Sequence, residues 1–271
     1  MQTTPGNQQT VTAFLKSRNL RILLVDDNRV NQFLGKRILQ NIGVTNVELA
    51  SDGDEAFSKI IAGEFDVLLT DVEMPGKSGY ELSKALHSTM EPEKMPLIIA
   101  LTANASDEDR EQAKQAGISG YLTKPYSPQD LMDILFQHFG SENVLILEDI
   151  VLSSVHKSHS SLQKVYEVFH SNREDIQHFL LMLSQQLPQL IQEIKQGIAL
   201  DDWDKAFQAA HKLKSPVTLI GNGFLAGELG KLTEDLRNRE RLQDCPAAFD
   251  NLLPGLESLL VIVNTELEKH G

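Results

Sequence analysis

Residues 65–90, FDVLLTDVEMPGKSGYELSKALHSTM, set the fold. A short apolar run, FDVLLT, reads as a strand that ends just before Asp71. A loop with Met74, Pro75 and Gly76 follows, and GYELSKALHSTM then reads as a helix. Outward from here the same order recurs. RILLV (21–25) precedes NRVNQFLGKRILQNIG, and VELA (47–50) precedes DGDEAFSKIIAGE. PLIIALT (96–102) precedes SDEDREQAKQAG, and SGYLT (119–123) precedes SPQDLMDILFQHFG. Five βα units in a row imply a parallel sheet with helices on both faces. Short apolar strands suit burial on both sides. The expectation is a doubly wound α/β domain over residues 21–140, with five parallel strands in the order 2-1-3-4-5 and residues 1–20 as an N-terminal tail.

After Gly140 the pattern changes. Residues 141–160 read as a serine-bearing linker in which VLILED (144–149) packs locally. From 161 to 271 only helical periodicity remains, in SLQKVYEVF, REDIQHFLLMLSQQLPQLIQEIKQG, DDWDKAFQAAHKLKS, GFLAGELGKLTEDLRNR and PAAFDNLLPGLESLLVIVNTELEKH. Short polar or Gly/Pro breaks separate these segments, as in an all-α bundle of four or five helices.

The composition narrows the function classes. An apolar content of 41% permits real cores. A net charge of −13 without a clustered basic patch disfavours nucleic acid and anionic membranes as partners. One cysteine, Cys245, excludes an internal disulfide and a cysteine-rich zinc site. No uninterrupted apolar run approaches the ~18 residues of a membrane span. The start, MQTTPGNQQTVT, lacks the charged-then-apolar order of a signal peptide. These features predict a cytoplasmic chain that does not insert into a membrane.

Ligands of doubly wound sheets bind outside the carboxyl ends of the strands. Asp26 and Asp27 follow the first strand, Asp71 the third, Thr102 closes the fourth and Lys124 follows the fifth. In the order 2-1-3-4-5 the first and third strands are neighbours, so the three acids converge. Asp favours turns for local reasons too, but five matched positions at one edge point to a site. Clustered carboxylates repel one another, and a hard divalent cation such as Mg²⁺ relieves that repulsion. With the cation and Lys124 neutralising charge, Asp71 is placed to attack a phosphoryl group.

LLVDDN, LLTDVEMPGKSGYEL, ALTAN and YLTKP, in this order and spacing over about 120 residues, resemble the signature segments of response-regulator receiver domains. The resemblance implies a flavodoxin-like fold with Asp71 as phosphoacceptor. It implies that Asp26, Asp27, Asp71 and the main-chain carbonyl of Glu73 arrange Mg²⁺. Thr102 and Tyr121 become a switch pair, Lys124 contacts the phosphoryl group, and Met74, Pro75 and Gly79 match the family's loop. The Lys124–Pro125 peptide is often cis in this family, and proline is the residue that makes a cis bond accessible. Asn28 has a simpler reading as a helix N-cap.

In the second half, a wheel at 100° per residue puts Trp203, Ala206, Ala210, Leu213, Val217 and Ile220 in one arc. Asp204, Gln208, His211, Ser215 and Thr218 form the opposite ridge, so His211 is expected to face solvent or a partner. No His or Cys lies one turn away to complete a metal site. His156, His159, His170 and His178 are scattered and read as surface or partly packed residues. Lys214 neighbours the imidazole at i+3 and can hydrogen-bond an incoming phosphoryl group. Ser215, Gly221 and Gly223 are small enough to admit another protein. An imidazole near its ordinary pKa is partly neutral at pH 7 and so nucleophilic.

The segment AAHKLKSPVTLIG resembles the His-x-Leu-Lys helix of histidine-containing phosphotransfer (HPt) domains. That resemblance covers about 110 residues and implies a four-helix bundle over 161–271 in which His211 is phosphorylated and Lys214 assists. Pro216 departs from the pattern. It removes one donor and collides with the Lys212 carbonyl, at a cost of about 3 kcal/mol in an unstrained helix, so a bend is expected there.

A receiver followed by an HPt domain reads as a phosphorelay protein. An upstream histidine kinase loads Asp71, His211 takes the group, and a downstream response regulator receives it. No glycine-rich ATP motif and no basic recognition helix is visible, so the chain reads as a relay module, either free-standing or the C-terminal part of a hybrid sensor kinase. Two alternatives stand beside it. One is a phosphorylation-gated binding module whose helical half only docks partners. The other is an aspartyl-phosphate phosphatase, which ordinarily has Asp two residues after its nucleophile, where this chain has Glu73.

Overall fold

A computed structural model describes residues 5–102, 107–140, 162–221 and 223–270. The predicted linker 141–160, with its 144–149 segment, lies outside the described residues, as do His156, His159 and Asn104. The chain divides into two compact units, Met1–Val155 and His156–Gly271.

The first unit holds five parallel strands: β1 (Arg21–Val25), β2 (Asn46–Ala50), β3 (Val67–Asp71), β4 (Leu97–Thr102) and β5 (Gly120–Thr123). Their order is β2-β1-β3-β4-β5, with Val25 beside Thr70 and Asp71 beside Leu101. Every residue of β3 is buried, as a central strand covered on both faces requires. Helices α2 (Arg29–Asn41), α3 (Gly53–Ala62), α4 (Gly79–Thr89), α5 (Asp107–Gln115) and α6 (Pro128–Phe139) alternate with the strands. Local chemistry starts them. Asn28 caps α2 by accepting from Val30 N–H, as its N-cap reading anticipates. Ser78 with Glu81, and Ser127 with Asp130, form capping boxes at α4 and α6. The Lys124–Pro125 peptide is cis.

The N-terminal segment corrects the expectation of a tail. Pro5–Arg18 form a helix, α1. It packs on α6, where Phe14 meets Phe136 edge-on at 5.5 Å between ring centroids, and Arg18 donates to Phe139 O at 3.0 Å. Val11 and Leu15, one turn apart, are buried. Two apolar residues one turn apart give too short a stripe to stand out among polar neighbours in the sequence.

The second unit contains α7 (Gln163–Val168), α8 (Arg173–Ala199), α9 (Trp203–Ile220), α10 (Gly223–Asn238) and α11 (Cys245–His270). Helix α8 packs on α9, α9 on α10, α10 on α11, and α11 closes on α8, which makes a four-helix ring. Ile176, Phe179, Leu180, Leu183, Leu187, Leu190 and Ile194 form the buried stripe of α8 at helical spacing. The helical stretch Leu242–His270 is long and apolar enough in composition to cross a membrane, with mean hydropathy 1.3 over 18 residues, though polar and charged residues interrupt it as the sequence reading states. Its buried Phe249, Leu252, Leu256, Leu259 and Val263 recur every three or four residues, the pattern of one bundle-facing stripe.

Candidate functional site

Parallel register brings the acid-bearing strand ends together. Asp71 is the last residue of β3, and Asp26 directly follows β1, whose Val25 pairs with Thr70. One ligand oxygen from each of Asp26, Asp27 and Asp71 lies within 4.8 Å of the others. Asp26 and Asp71 are each 1% exposed, and Asp27 is half-buried. Lys124 follows β5 and is held by its N–H to Thr102 O at 2.7 Å. Its ammonium donates to Asp26 Oδ2 at 2.6 Å and to Asp71 Oδ2 at 2.5 Å.

The electrostatics leave the cluster over-charged. Burial, then the neighbouring Asp71 charge, pushes the Asp26 carboxyl up to about 6 against the opposing pull of Lys124. Burial alone would depress the Lys124 ammonium, but the Asp26 and Asp71 carboxylates outweigh it and hold it above its ordinary value. One ammonium among three carboxylates leaves a formal charge of about −2, from oxygen donors only. That donor set fits a hard divalent cation.

The surrounding loop fixes Asp71. Glu73 N–H donates to Asp71 Oδ1 at 3.1 Å, and Gly79 N–H to Val72 O at 3.2 Å. A Cβ on Gly79 would meet Asp71 O at 2.4 Å, so only glycine lets α4 start this close to the acceptor strand. Met74 is buried and Pro75 exposed beside it. Thr102 is buried at the end of β4 and Tyr121 lies on β5, and both line one small cavity with Tyr80 and Arg110. The Tyr121 hydroxyl is buried without a hydrogen-bond partner among the described residues, and the Arg110 guanidinium lies 5.6 Å from the centre of its ring.

Residues outside the sequence-predicted site also hold the cluster. Asn28 N–H and Asn31 Nδ2 donate to Asp26 Oδ1 at 2.9 and 3.1 Å. Gln32 is buried on the core face of α2 and bonds to two strand-end carbonyls. A polar residue among Val30, Gly35, Ile38 and Leu39 on that face was the available signal.

In the second unit the wheel misplaced His211. His211 is 6% exposed, not solvent-facing. Helix α9 touches α7, α8, α10 and α11, so its polar ridge is partly covered. A wheel gives direction on one helix and is blind to what neighbours cover. Phe207, one turn earlier, lies 6.0 Å away between ring centroids. Lys214, Ser215, Gln208 and Thr218 are half-buried. Pro216 is buried within α9, which continues helical from Trp203 to Ile220. Gly221 ends the helix: its N–H donates to Val217 O at 2.7 Å, and a Cβ there would meet the same oxygen at 2.3 Å. Its smallness thus serves the helix end, whereas Gly223 has open space around it.

Comparison with known proteins agrees with this architecture. The chain belongs to the response regulator receiver domain family, which matches residues 22–136, and the Hpt domain family matches residues 178–267. Chemotaxis protein CheY-3 of Vibrio cholerae is 34% identical over 123 residues, 45% of this chain and 94% of that protein. Chemotaxis protein CheY of Pseudomonas aeruginosa is 34% identical over 124 residues, 46% of this chain and 99% of that protein. Among solved structures, the receiver domain of a Pseudomonas aeruginosa sensor histidine kinase, with a magnesium ion in its active-site cleft, is 37% identical. That match covers 45% of this chain and 99% of that one, with a TM-score of 0.42. A receiver and an Hpt domain on one chain make this a phosphorelay signalling protein of the two-component type.

Proposed function

We propose that Asp71 accepts a phosphoryl group from a histidine kinase and that His211 carries it on to a downstream response regulator. The observation that carries this reading is the Lys124 ammonium bridging Asp26 and Asp71 at 2.6 and 2.5 Å inside a cluster with excess negative charge. In the loading step an Asp71 oxygen forms a bond to phosphorus while the P–N bond of the kinase's phosphohistidine breaks, and the electron pair returns to imidazole. Lys124 offsets charge on the moving phosphoryl oxygens. Asp26, Asp27, Asp71 and the Glu73 carbonyl would hold Mg²⁺, which when bound supplies further charge neutralisation. Thr102 and Tyr121 act as the responsive pair beside the acceptor.

In the forward step a His211 imidazole nitrogen attacks phosphorus and the Asp71 carboxylate leaves. Lys214, one turn on, steadies the phosphoryl oxygens. Both groups then meet a partner receiver's aspartate. Because His211 is largely covered, docking has to expose it. That same burial favours a second reading, a gated binding module in which only Asp71 is phosphorylated. The protein acts in the cytoplasm, between a kinase and a regulator.

The test loads the purified chain with a small acyl-phosphate donor and Mg²⁺, then locates the label by its acid and base stability. Label on His211 that disappears in Asp71→Asn supports passage from one domain to the other. Label confined to Asp71 even with a partner receiver present overturns the relay and supports the gated module. Rapid release of inorganic phosphate as the main product supports a phosphatase instead.

A further inference from the structure

Gln32 lies on the core face of α2 and is 8% exposed. A buried carboxamide costs stability unless its groups are bonded. Its nitrogen carries two hydrogens, and its two shortest bonds go to main-chain carbonyls, Asp26 O at 2.7 Å and Ala50 O at 2.9 Å, with Ser51 Oγ farther off at 3.5 Å. The β1–β2 register closes at Val25 and Ala50, and Asp26 N–H adds a last bond to Ala50 O at 3.2 Å. Gln32 therefore supplies a side-chain donor to both carbonyls where the ladder runs out.

The Asp26 carbonyl belongs to the planar peptide that joins Asp26 to Asp27. Fixing that oxygen fixes the plane, and with it the directions in which the two acid side chains leave the chain. Asn31, the preceding residue of α2, holds the Asp26 side chain itself at 3.1 Å. Consecutive helix residues thus grip the carboxylate and the main chain of Asp26 separately.

We propose that Gln32 is a positioning residue for the acid cluster: by clamping the Asp26–Asp27 peptide to the end of β2, it sets the divalent-cation affinity of the site. This rests on reading the cluster as a cation-dependent phosphoacceptor. Gln32 bonds to the main chain of Asp26 and not to its carboxylate. Its effect falls on how the acids are held before either arrives, as outer partners of metal ligands do.

The test replaces Gln32 by Met, similar in length and without donors, in the full chain. Mg²⁺ affinity is measured by calorimetric titration, and acyl-phosphate loading is followed against Mg²⁺ concentration. The expected result is an affinity about tenfold weaker, a half-saturating Mg²⁺ concentration raised by the same factor, and an unchanged maximal loading rate at saturating Mg²⁺. A general loss of structure would lower the maximal rate as well. Binding by the parent chain with equal affinity in Gln32→Met overturns the role of Gln32 alone. Absence of Mg²⁺ binding in the parent chain overturns the phosphoacceptor reading beneath it. Should Gln32→Met fail to fold, scalar couplings across the hydrogen bonds from the Gln32 side-chain nitrogen to the Asp26 and Ala50 carbonyl carbons decide in the parent chain. Couplings that strengthen on adding Mg²⁺ support the clamp, and their absence overturns it.

Discussion

Asp71 and His211, the two proposed phosphoryl carriers, sit in scaffolds of opposite kinds. Around Asp71, three strand ends, two loops and α2 converge, and backbone register alone puts the acids within 4.8 Å of one another. Around His211, the recognisable chemistry, Lys214 and Ser215, comes from α9 itself. Sites assembled from several elements are held from many directions. A site on one helix depends on what its neighbours cover, and His211 is covered. The first arrangement suits a permanent reaction centre, and the second suits a group presented on docking.

The largest effect expected from breaking this comparison is loss of labelling. Asp71→Asn keeps the side-chain shape and removes the nucleophilic carboxylate, so label from an acyl-phosphate donor should vanish from both domains. His211→Gln should leave Asp71 loading at its parental rate and abolish delivery to a partner receiver. Equal loss of Asp71 loading in His211→Gln would show that the two sites are not sequential.

Next in size is a stability effect confined to the first unit. Leu15 on α1 is fully buried, and Leu15→Ala should cost about 3 kcal/mol. Hydrogen exchange of strand amides should report faster opening in the first unit, while fluorescence of Trp203, the chain's one tryptophan, should report an unchanged second unit. A null effect would return residues 5–18 to the status of a tail.

That case also marks what was legible. The alternation of short apolar runs with helical stretches carried the parallel sheet and the acid edge, because a strand buried on both faces leaves its chemistry only at its end. The same argument located Thr102 and Lys124. Helix α1 was hidden because its stripe is one turn long among polar residues. Gln32 showed in the sequence only as a polar residue on an apolar face, and its main-chain partners are not displayed there. The burial of His211 was hidden because it depends on packing between helices, which the periodicity of α9 alone does not contain.

Pro216 gives the third effect. The sequence predicts a bend, and α9 runs helical through the proline, as α8 does through Pro188 and α11 through Pro254. Proline has no N–H, so position 216 adds no bond of its own to the helix. Pro216→Ala should stabilise the second unit by about 2 kcal/mol, read from urea unfolding followed by Trp203. If His211 delivery slows in the same variant, the proline is retained to keep Lys214 placed. If delivery is unchanged, the proline has no part in transfer.

The smallest effect concerns how the second unit is closed. Tyr166 on α7 donates to Glu266 Oε1, and Lys269 donates to Glu266 Oε2 at 2.8 Å. His270 Nε2 lies 2.9 Å from the Tyr166 hydroxyl, and Arg173 donates to His270 O at 3.1 Å. The Lys269 bond, then the Tyr166 bond, holds the Glu266 carboxyl below its ordinary 4.5, and the bond to Glu266 pushes the Tyr166 hydroxyl up to about 12. A carboxyl whose folded pKa is depressed binds its proton less readily folded than unfolded. Its stabilisation is therefore complete above pH 4.5 and is lost as pH falls through the lower folded value. The second unit should thus lose stability in acid more steeply than Glu266→Gln, whose profile lacks this component. At pH 7 the variant should be weaker by about 1 kcal/mol, and the two curves should converge toward pH 3. Parallel profiles for parent and variant, followed by Trp203 fluorescence from pH 7 to pH 3, would show that α7 is held by its buried Val165 and the adjoining Phe169 alone.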